Sequence, residues 1–468
     1  MAQSKKQREE PGPSRGELER ENARLRQESE RLQREIERLR GELEKAMRSG
    51  KRQAAPFSRG EPKKNPRRPG RKSGKQYGRR GKRPAPPKVD EVKRAPLPPQ
   101  CACGGCVKWE RTAPQYQEDI VCQTLVRRFD VEIGRCQQCH RRVQGRHPEQ
   151  TSDALGAAQV QIGARAVSLA AVMTKQMGIS LGNTGQLLEH GFGLRVERST
   201  LSRALARLAG RAEPTCADLL SWARRSAVNV MDETGWRVGG QSHWAHVAVG
   251  EQATVYTIQR GRGYGEAASL IGADYAGFLV RDGWAPYRKF AGAPSHSCLN
   301  HLLTRCREMI VADPRRAGFA RSIQQILREG LQVRDRHEQG RLSVRGLARA
   351  TQSLERQMDE RLARLPRSEA NRKLAQHLRN EQPHLFTFLR CPGLAASNHE
   401  AEHALRFLVI ARKVWGGNRT ARGARTQSVL LSVMRTCRQQ QRPVVAVLMT
   451  LLQQRQPVTL ELVASDDG

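Results

Sequence analysis

The sequence predicts a multidomain α+β protein. A long N-terminal helix, a small cysteine-containing module and a helical region precede an α/β core that a helical insertion divides. Three observations predict this organisation: a seven-residue leucine repeat, two closely spaced cysteine pairs, and a series of apolar strand-like segments after residue 225. With 468 residues, the chain is long enough for several domains with their own cores.

The net charge of +36 predicts a polyanionic partner. Nucleic acid is the first interpretation and an anionic membrane surface the second, although no basic amphipathic helix with aromatic anchors stands out. We see no run of about 20 apolar residues and no apolar signal core at the N-terminus. We therefore expect a soluble intracellular protein without membrane contact, whose 11 cysteines are metal ligands or free thiols.

A helix is predicted over residues 17–47, within a first domain of residues 1–47. Leucines recur every seven residues along it, at Leu18, Leu25, Leu32 and Leu39. This repeat with charged flanks is typical of a parallel coiled coil, and Asn22 at a core position would favour a homodimer. The alternative, a single charged helix, would leave the leucines in water.

Residues 48–100 form a basic linker, with 18 Lys and Arg against three acids. Such a segment cannot bury a core, so we expect it to be disordered alone. Its Arg-Pro-Gly sequences suit insertion into a narrow minor groove; the alternative is a solvated linker that contacts phosphates without reading sequence. In both cases it binds DNA backbone, and its candidate contacts are Arg67, Arg68, Arg71 and Lys72.

Residues 101–150 contain two Cys-x-x-Cys pairs about 30 residues apart, a spacing that favours a tetrahedral thiolate zinc site. Strand-like segments between the pairs predict a zinc-ribbon-like hairpin. A module this short lacks a core without metal, so structural Zn²⁺ is preferred over reduced thiols. The candidate ligands are four of Cys101, Cys103, Cys106, Cys136 and Cys139, with His140 or His147 as possible substitutes.

Residues 151–225 read as helix, turn and helix. Ser199 or Thr200 would cap the second helix, and Arg203 would lie on its face. A DNA-binding helix-turn-helix and an ordinary helical hairpin are equally compatible with this pattern.

The α/β core is predicted over residues 226–300 and 391–440. An apolar strand ends at Asp232; two more strands and a short helix follow, and a fourth strand ends at Asp282. This is the order of the ribonuclease-H-like fold, in which the first and fourth strands are neighbours, so the two aspartates are expected to approach each other. Close carboxylates repel unless cations bind between them, and Mg²⁺ prefers oxygen ligands and contacts phosphate. A two-ion site of this kind serves phosphoryl transfer.

A third acid is expected at the start of the helix in "SNHEAEHALRFLVIARKV", capped by Ser397 or Asn398. Glu400 and Glu402 are about 200° apart around a helix, so only one can face the ions. Glu402 borders the apolar face and is preferred. The alternative is that the acids are surface residues of a helical bundle.

Basic side chains on this helix and in the Gly-rich loop after it are candidate phosphate contacts. They are Arg406, Arg412, Lys413, Arg419, Arg422 and Arg425; a solvated basic loop is the alternative. Residues 301–390 form a polar helical insertion that could contact DNA ends or a second subunit, and residues 441–468 a C-terminal tail.

The chain resembles the transposases of insertion-sequence family sixty-six over nearly its whole length. The resemblance rests on the leucine-rich helix, the cysteine pairs, "MDETGWRV", "RDGWAPY" and "SNHEAEHALR" followed by "WGGNRTARG". It implies an Asp-Asp-Glu transposase in which Asp232, Asp282 and Glu402 are catalytic and hold two Mg²⁺ or Mn²⁺ ions.

The resemblance also implies, as partners, terminal inverted repeats, target DNA and helper proteins encoded by the element. The protein would then be cytoplasmic, bacterial and associated with the nucleoid. The sequence departs from the family pattern at His403, where Arg is usual, at the Asn398-His399 pair, and in the first cysteine pair.

Two other functions remain open from the sequence. One is a zinc-containing DNA-binding regulator with a vestigial catalytic fold, which would bind DNA without forming a product. The other is a structure-specific nuclease that uses the same ions but joins no strands.

Overall fold

The computed structural model describes residues 124–155, 161–391 and 393–463, with short pieces at 16, 24–33, 35–36, 38–39, 87–89, 92–93 and 105–106. The chain divides into two compact units, Met1–Asp119 and Ile120–Gly468. In the first unit, residues 24–33 are helical and the side chains of Leu25 and Leu32 are exposed. The coiled-coil dimer stays a prediction. Arg67, Arg68, Arg71, Lys72, Cys101 and Cys103 lie outside the described residues.

The second unit begins with a small antiparallel hairpin. Its strands are β1 (Ile133–Arg135) and β2 (Arg142–Gln144), with Ile133 opposite Gln144. Arg146, just after β2, pairs with Asp153 and donates a 2.9 Å hydrogen bond to the carbonyl oxygen of Gln453. This contact attaches the hairpin to the C-terminal part of the chain.

Three helices follow: α1 (Ala164–Ala171), which continues into a π-helical turn over Val172–Gln176, α2 (Leu181–Phe192) and α3 (Arg198–Arg225). The predicted cap of the last helix is wrong by two residues. Glu197 is its N-cap, so Ser199 and Thr200 lie inside the first turn. The fully buried side chains of α3 include Leu201, Leu208 and Leu219, while Arg203 is exposed.

The sheet has the strand order β5-β4-β3-β6-β7. Its strands are β3 (Val228–Val238), β4 (Gln241–Gly250), β5 (Thr254–Gln259), β6 (Phe278–Arg281) and β7 (Ser295–Ser297), with α4 (Tyr264–Ile271) before β6. The first three strands are antiparallel neighbours, whereas β6 runs parallel to β3, with Val230 opposite Val280. The predicted adjacency of the first and fourth strands is therefore confirmed. Strand β7 was not predicted from the sequence, because its three polar residues carry no strand periodicity.

Eight helices complete the described chain. They are α5 (Leu299–Ala312), α6 (Gly318–Glu338), α7 (Val344–Ala363), α8 (Glu369–Glu381), α9 (Thr387–Arg390), α10 (His399–Trp415), α11 (Ala421–Gln439) and α12 (Val444–Gln453). Helix α10 packs against β3, and α11 lies between β5 and α3. Side chains of the predicted insertion, the sheet and α3 share one hydrophobic core. Among the described helices, none has the length and apolar character needed to cross a bilayer.

Candidate active site

Asp232 and Asp282 lie close together where the parallel strands β3 and β6 are neighbours. Asp282 follows the last residue of β6, and Asp232 lies within β3, opposite Val247 of β4. One carboxylate oxygen from each of Asp232, Glu233 and Asp282 lies within 4.8 Å of the other two. Strand β3 does not end at the acids, as the sequence had suggested. It continues to Val238 because Gly235 and its neighbours pair with β4.

The ionisation of the two aspartates is disfavoured by their surroundings. Burial, with the nearby charges of Glu233 and Asp282, raises the pKa of Asp232 to about 8. Burial and the charge of Glu233 also raise the pKa of Asp282. Backbone N–H groups fix both side chains: that of Glu233 donates to Asp232 Oδ1 and that of Trp284 to Asp282 Oδ1, each at 2.9 Å. The site therefore concentrates negative charge that bound cations would offset.

Glu233 is the acid of this group that already has strong partners. Its side chain is almost fully buried and accepts hydrogen bonds from the Arg262 guanidinium and the Tyr287 hydroxyl. The same guanidinium lies 3.9 Å from Asp282 Oδ2. Glu233 therefore anchors Arg262 beside the two aspartates, which leaves Asp232 and Asp282 as the better candidates for cation ligands.

Glu402 lies in the first turn of α10, outside the three-acid group. Its Oε1 is 3.5 Å from Nε2 of His301, in the first turn of α5. A hydrogen bond with Cys298, together with the charges of Glu402 and Asp232, raises the pKa of His301 to about 9. The charges of Glu402 and of Asp232 thus both act on His301. Asn398, one of the two predicted caps, is the N-cap residue of α10. Its side chain makes no capping hydrogen bond.

The predicted phosphate contacts differ in their surroundings. The guanidinium of Arg412 donates to the carbonyl oxygen of Gly235 and so attaches α10 to β3. Arg425 forms a 2.7 Å ion pair with Glu213. The remaining candidates are exposed: Arg203 on α3, Arg406 and Lys413 on α10, and Arg419 and Arg422 around the start of α11.

The loop between α10 and α11 is held against the strand that carries Asp232. The backbone N–H of Asn418 donates to the carbonyl oxygen of Arg237 at 2.9 Å. The Asn418 side chain accepts a 2.8 Å hydrogen bond from the buried indole of Trp236. The backbone that carries the exposed arginines near this loop is consequently held in a fixed position relative to β3.

Three of the five candidate zinc ligands, Cys106, Cys136 and Cys139, lie within the described residues, and Cys106 is exposed. Cys136 and Cys139 share the turn between β1 and β2, which the backbone N–H of His140 closes by donating to the Cys136 carbonyl oxygen at 2.9 Å. Hydrogen bonds from the backbone N–H groups of Cys139 and Gln138 lower the pKa of the Cys136 thiol. A lowered thiol pKa on such a turn fits a zinc ligand. With Cys101 and Cys103 undescribed, the four-ligand set stays a prediction.

Two residues of this site carried little signal in the sequence. His301 forms a Cys-x-x-His element with Cys298 in the sequence, and Arg262 lies in an arginine-rich turn that resembles many solvated loops. Their positions depend on α5 and on the turn after β5 folding back over the acids.

A model of the protein family described as "Transposase IS66 family" matches residues 159–426. The match covers more than half of the chain and includes Asp232, Asp282 and Glu402. No curated protein matches the chain.

Proposed function

Because this chain belongs to the IS66 family of transposases, we propose that it cleaves the ends of a DNA element and joins them to target DNA by phosphoryl transfer. The observation that carries this proposal is the pair of close carboxylates, Asp232 and Asp282, where the parallel strands β3 and β6 are neighbours. Their raised pKa values support a site that is completed by cations, and perturbed carboxylates cluster at functional sites.

The residues present fit divalent cations. All the donors are carboxylate oxygens, which Mg²⁺ and Mn²⁺ prefer. Asp232, Asp282 and Glu402 would hold two such ions, and the ions would supply Lewis-acid stabilisation of charge on the transferred phosphoryl group.

The side chains of the site would each have a separate part in the reaction. Asp232 and Asp282 converge from two strands, so a phosphodiester bound there meets both. Glu402 and His301 have side chains that are 44% and 48% exposed, so packing locks neither of them. Movement of these two side chains would bring Glu402 toward the aspartates as the third acid.

DNA binding would draw on exposed basic residues of the catalytic unit and of the linker before it. Arg419 and Arg422 would contact phosphates from the loop attached to β3, and Arg203 from α3. The basic linker of residues 48–100, with Arg67, Arg68, Arg71 and Lys72, would add affinity for the element ends. A coiled coil over residues 17–47 would bring two protomers, and so two ends, together. Zn²⁺ on the cysteine module would stabilise its hairpin.

A transposition assay with the native flanking DNA tests the proposal. We expect Asp282→Asn to abolish both cleavage and joining while end binding in a gel-shift assay persists. The matched control is Asp313→Asn, an exposed aspartate after α5 that forms a 3.8 Å ion pair with Arg316; it should transpose like the parent.

Each alternative function predicts a different product pattern. Cleavage without joining in the parent chain would identify a nuclease. End binding without any product, with the neighbouring genes of the element also supplied, would favour the DNA-binding regulator.

A further inference from the structure

Trp284 is the one exposed tryptophan among those the structure describes, with 39% of its surface accessible. It lies two residues after Asp282, in the turn that follows β6. Large aromatic side chains are usually buried, and an exposed one beside a cluster of acids requires a physical explanation.

The ring of Trp284 is held in one orientation by three contacts. Its backbone N–H donates to Asp282 Oδ1 at 2.9 Å, and its indole N–H donates to the carbonyl oxygen of Arg262 at 3.1 Å. The Arg262 guanidinium stacks 4.2 Å from the ring centroid. Both N–H groups of the residue therefore have acceptors, and the indole ring itself is apolar.

Arg262 is itself held by its neighbours. Its guanidinium lies 4.7 Å from the ring centroid of Trp244, so two indoles flank it, and it is paired with the buried Glu233. This charge is already neutralised by a carboxylate, so the arginine serves better as a support for the ring than as a phosphate ligand. The Trp284 side chain thus loses its conformational entropy when the protein folds. Binding of a ligand to the ring does not have to order it again.

We propose that Trp284 is a stacking platform for an unpaired nucleobase next to the phosphodiester that reacts at Asp232 and Asp282. The inference rests on the proposed function, because that function places DNA at the acids. Aromatic rings stack on any base through its π face, whereas a base inside a duplex has both faces covered by its neighbours. The ligand is therefore a base that has left the helical stack at the cleavage position.

A binding experiment with abasic DNA tests this assignment. Single abasic sites are scanned across the element end, around the cleavage position, with Ca²⁺ replacing Mg²⁺ so that binding is measured without chemistry. For the parent chain, one abasic position should weaken binding about tenfold. For Trp284→Ala the same position should cost less than about twofold, while Trp284→Phe should retain part of the sensitivity.

Trp222→Ala is the matched control. Trp222 carries a stacked arginine, Arg225, at 5.0 Å, so the variant removes a comparable arginine–indole pair from a different element, α3. This variant should keep the full sensitivity of the parent to the abasic site. A fluorescent 2-aminopurine at the sensitive position should lose emission on binding to the parent and to Trp222→Ala, and not on binding to Trp284→Ala.

Four results would overturn the inference. In the first, no abasic position weakens DNA binding by the parent. This result contradicts the inference even if Trp284→Ala does not fold. In the second, the abasic site lowers the affinity of the parent and of Trp284→Ala equally. In the third, Trp284→Ala changes self-association and leaves DNA binding intact, as expected if Trp284 belonged to a protein-docking surface. The fourth result, absence of any end binding by the parent, would refute the proposed function as well. It therefore distinguishes failure of the proposed function from failure of the stacking inference alone.

Discussion

Arg281 and Glu381 form an ion pair in which both side chains are fully buried. Arg281 is the last residue of β6, next to Asp282, and Glu381 is the last residue of α8. The same guanidinium donates a 3.0 Å hydrogen bond to the carbonyl oxygen of Asp282, and Arg288 pairs with Glu381 at 2.8 Å. Helix α8 also covers Gly283, where a Cβ would collide with the imidazole of His377. The helical insertion thus fixes the backbone that presents Asp282.

Replacing Glu381 by Gln should destabilise the protein strongly. Burial opposes ionisation of Glu381, but Arg281 and Arg288 leave its pKa below the ordinary value, so the folded state depends on this charge. The variant leaves Arg281 as a buried and uncompensated charge, which costs about 3 kcal/mol or more. Urea unfolding followed by circular dichroism measures the change.

The control for this prediction lies at the other end of the same helix. Glu369, the first residue of α8, forms an exposed ion pair with Lys373 at 2.6 Å. Glu369→Gln should leave the unfolding midpoint nearly unchanged, because exposed pairs contribute little. An equal loss of stability in the two variants would show that the buried Arg281–Glu381 pair contributes no more to stability than the exposed Glu369–Lys373 pair.

Asp232→Asn should stabilise the protein in EDTA at alkaline pH. The pKa of Asp232 is raised to about 8 in the fold, so the folded state binds a proton more tightly than the unfolded chain, and parent stability falls as the pH rises from about 4 to 8. The neutral amide avoids this loss. We expect its Tm at pH 8 in EDTA to exceed that of the parent by roughly 2 °C or more.

Excess Mg²⁺ should reduce or reverse the difference in Tm between Asp232→Asn and the parent. The parent gains stability from cations that bind its folded state, whereas the variant has lost a ligand. A thermal unfolding series with and without Mg²⁺ measures both effects. A parent Tm that does not respond to Mg²⁺ or Mn²⁺ would contradict a cation site at these carboxylates.

His296 should make the protein less stable in mild acid. Burial lowers its pKa from 6.5 to about 4, although its Nδ1 lies 3.0 Å from the carbonyl oxygen of His384. The unfolded chain therefore binds the proton first, and stability falls as the pH drops from about 6.5 to about 4. The full difference corresponds to about 3 kcal/mol.

A comparison of variants isolates this contribution. His296→Gln should lose less stability than the parent between neutral pH and pH 4.5, whatever its stability at neutral pH. His190→Gln, which alters an exposed histidine of α2, should follow the parent curve. Parallel curves for the parent and His296→Gln would assign the acid sensitivity to other groups.

Zinc analysis tests the cysteine module. The purified parent chain should contain one Zn²⁺ per protomer, and Cys136→Ser or Cys139→Ser should lose it, because removing one thiolate opens a tetrahedral site. Cys391→Ser, which alters a half-buried cysteine away from the hairpin, should keep the metal. Full zinc content in the Cys136 and Cys139 variants would remove both residues from the ligand set.

The sequence by itself determined that the first and fourth strands are neighbours and that Asp232 and Asp282 therefore lie close together. Alternation of apolar residues marks strands locally, and the strand order, taken with the known arrangement of such folds, placed the first and fourth strands together. It could not rank the acids beside Asp232. Glu233 is adjacent in the chain and equally acidic, and only the packing of Tyr287 and Arg262 against it distinguishes the two.

The tertiary structure alone decided the partners that are distant in the chain. The sequence grouped Arg412 with the phosphate contacts, yet its guanidinium bonds to the backbone of Gly235. It treated the insertion as a separate helical segment, yet Glu381 pairs with Arg281 across 100 residues. Periodicity and propensity are local properties. The choice of which buried charge meets which, or which ring stacks on Arg262, depends on the packing of helices and strands around one core.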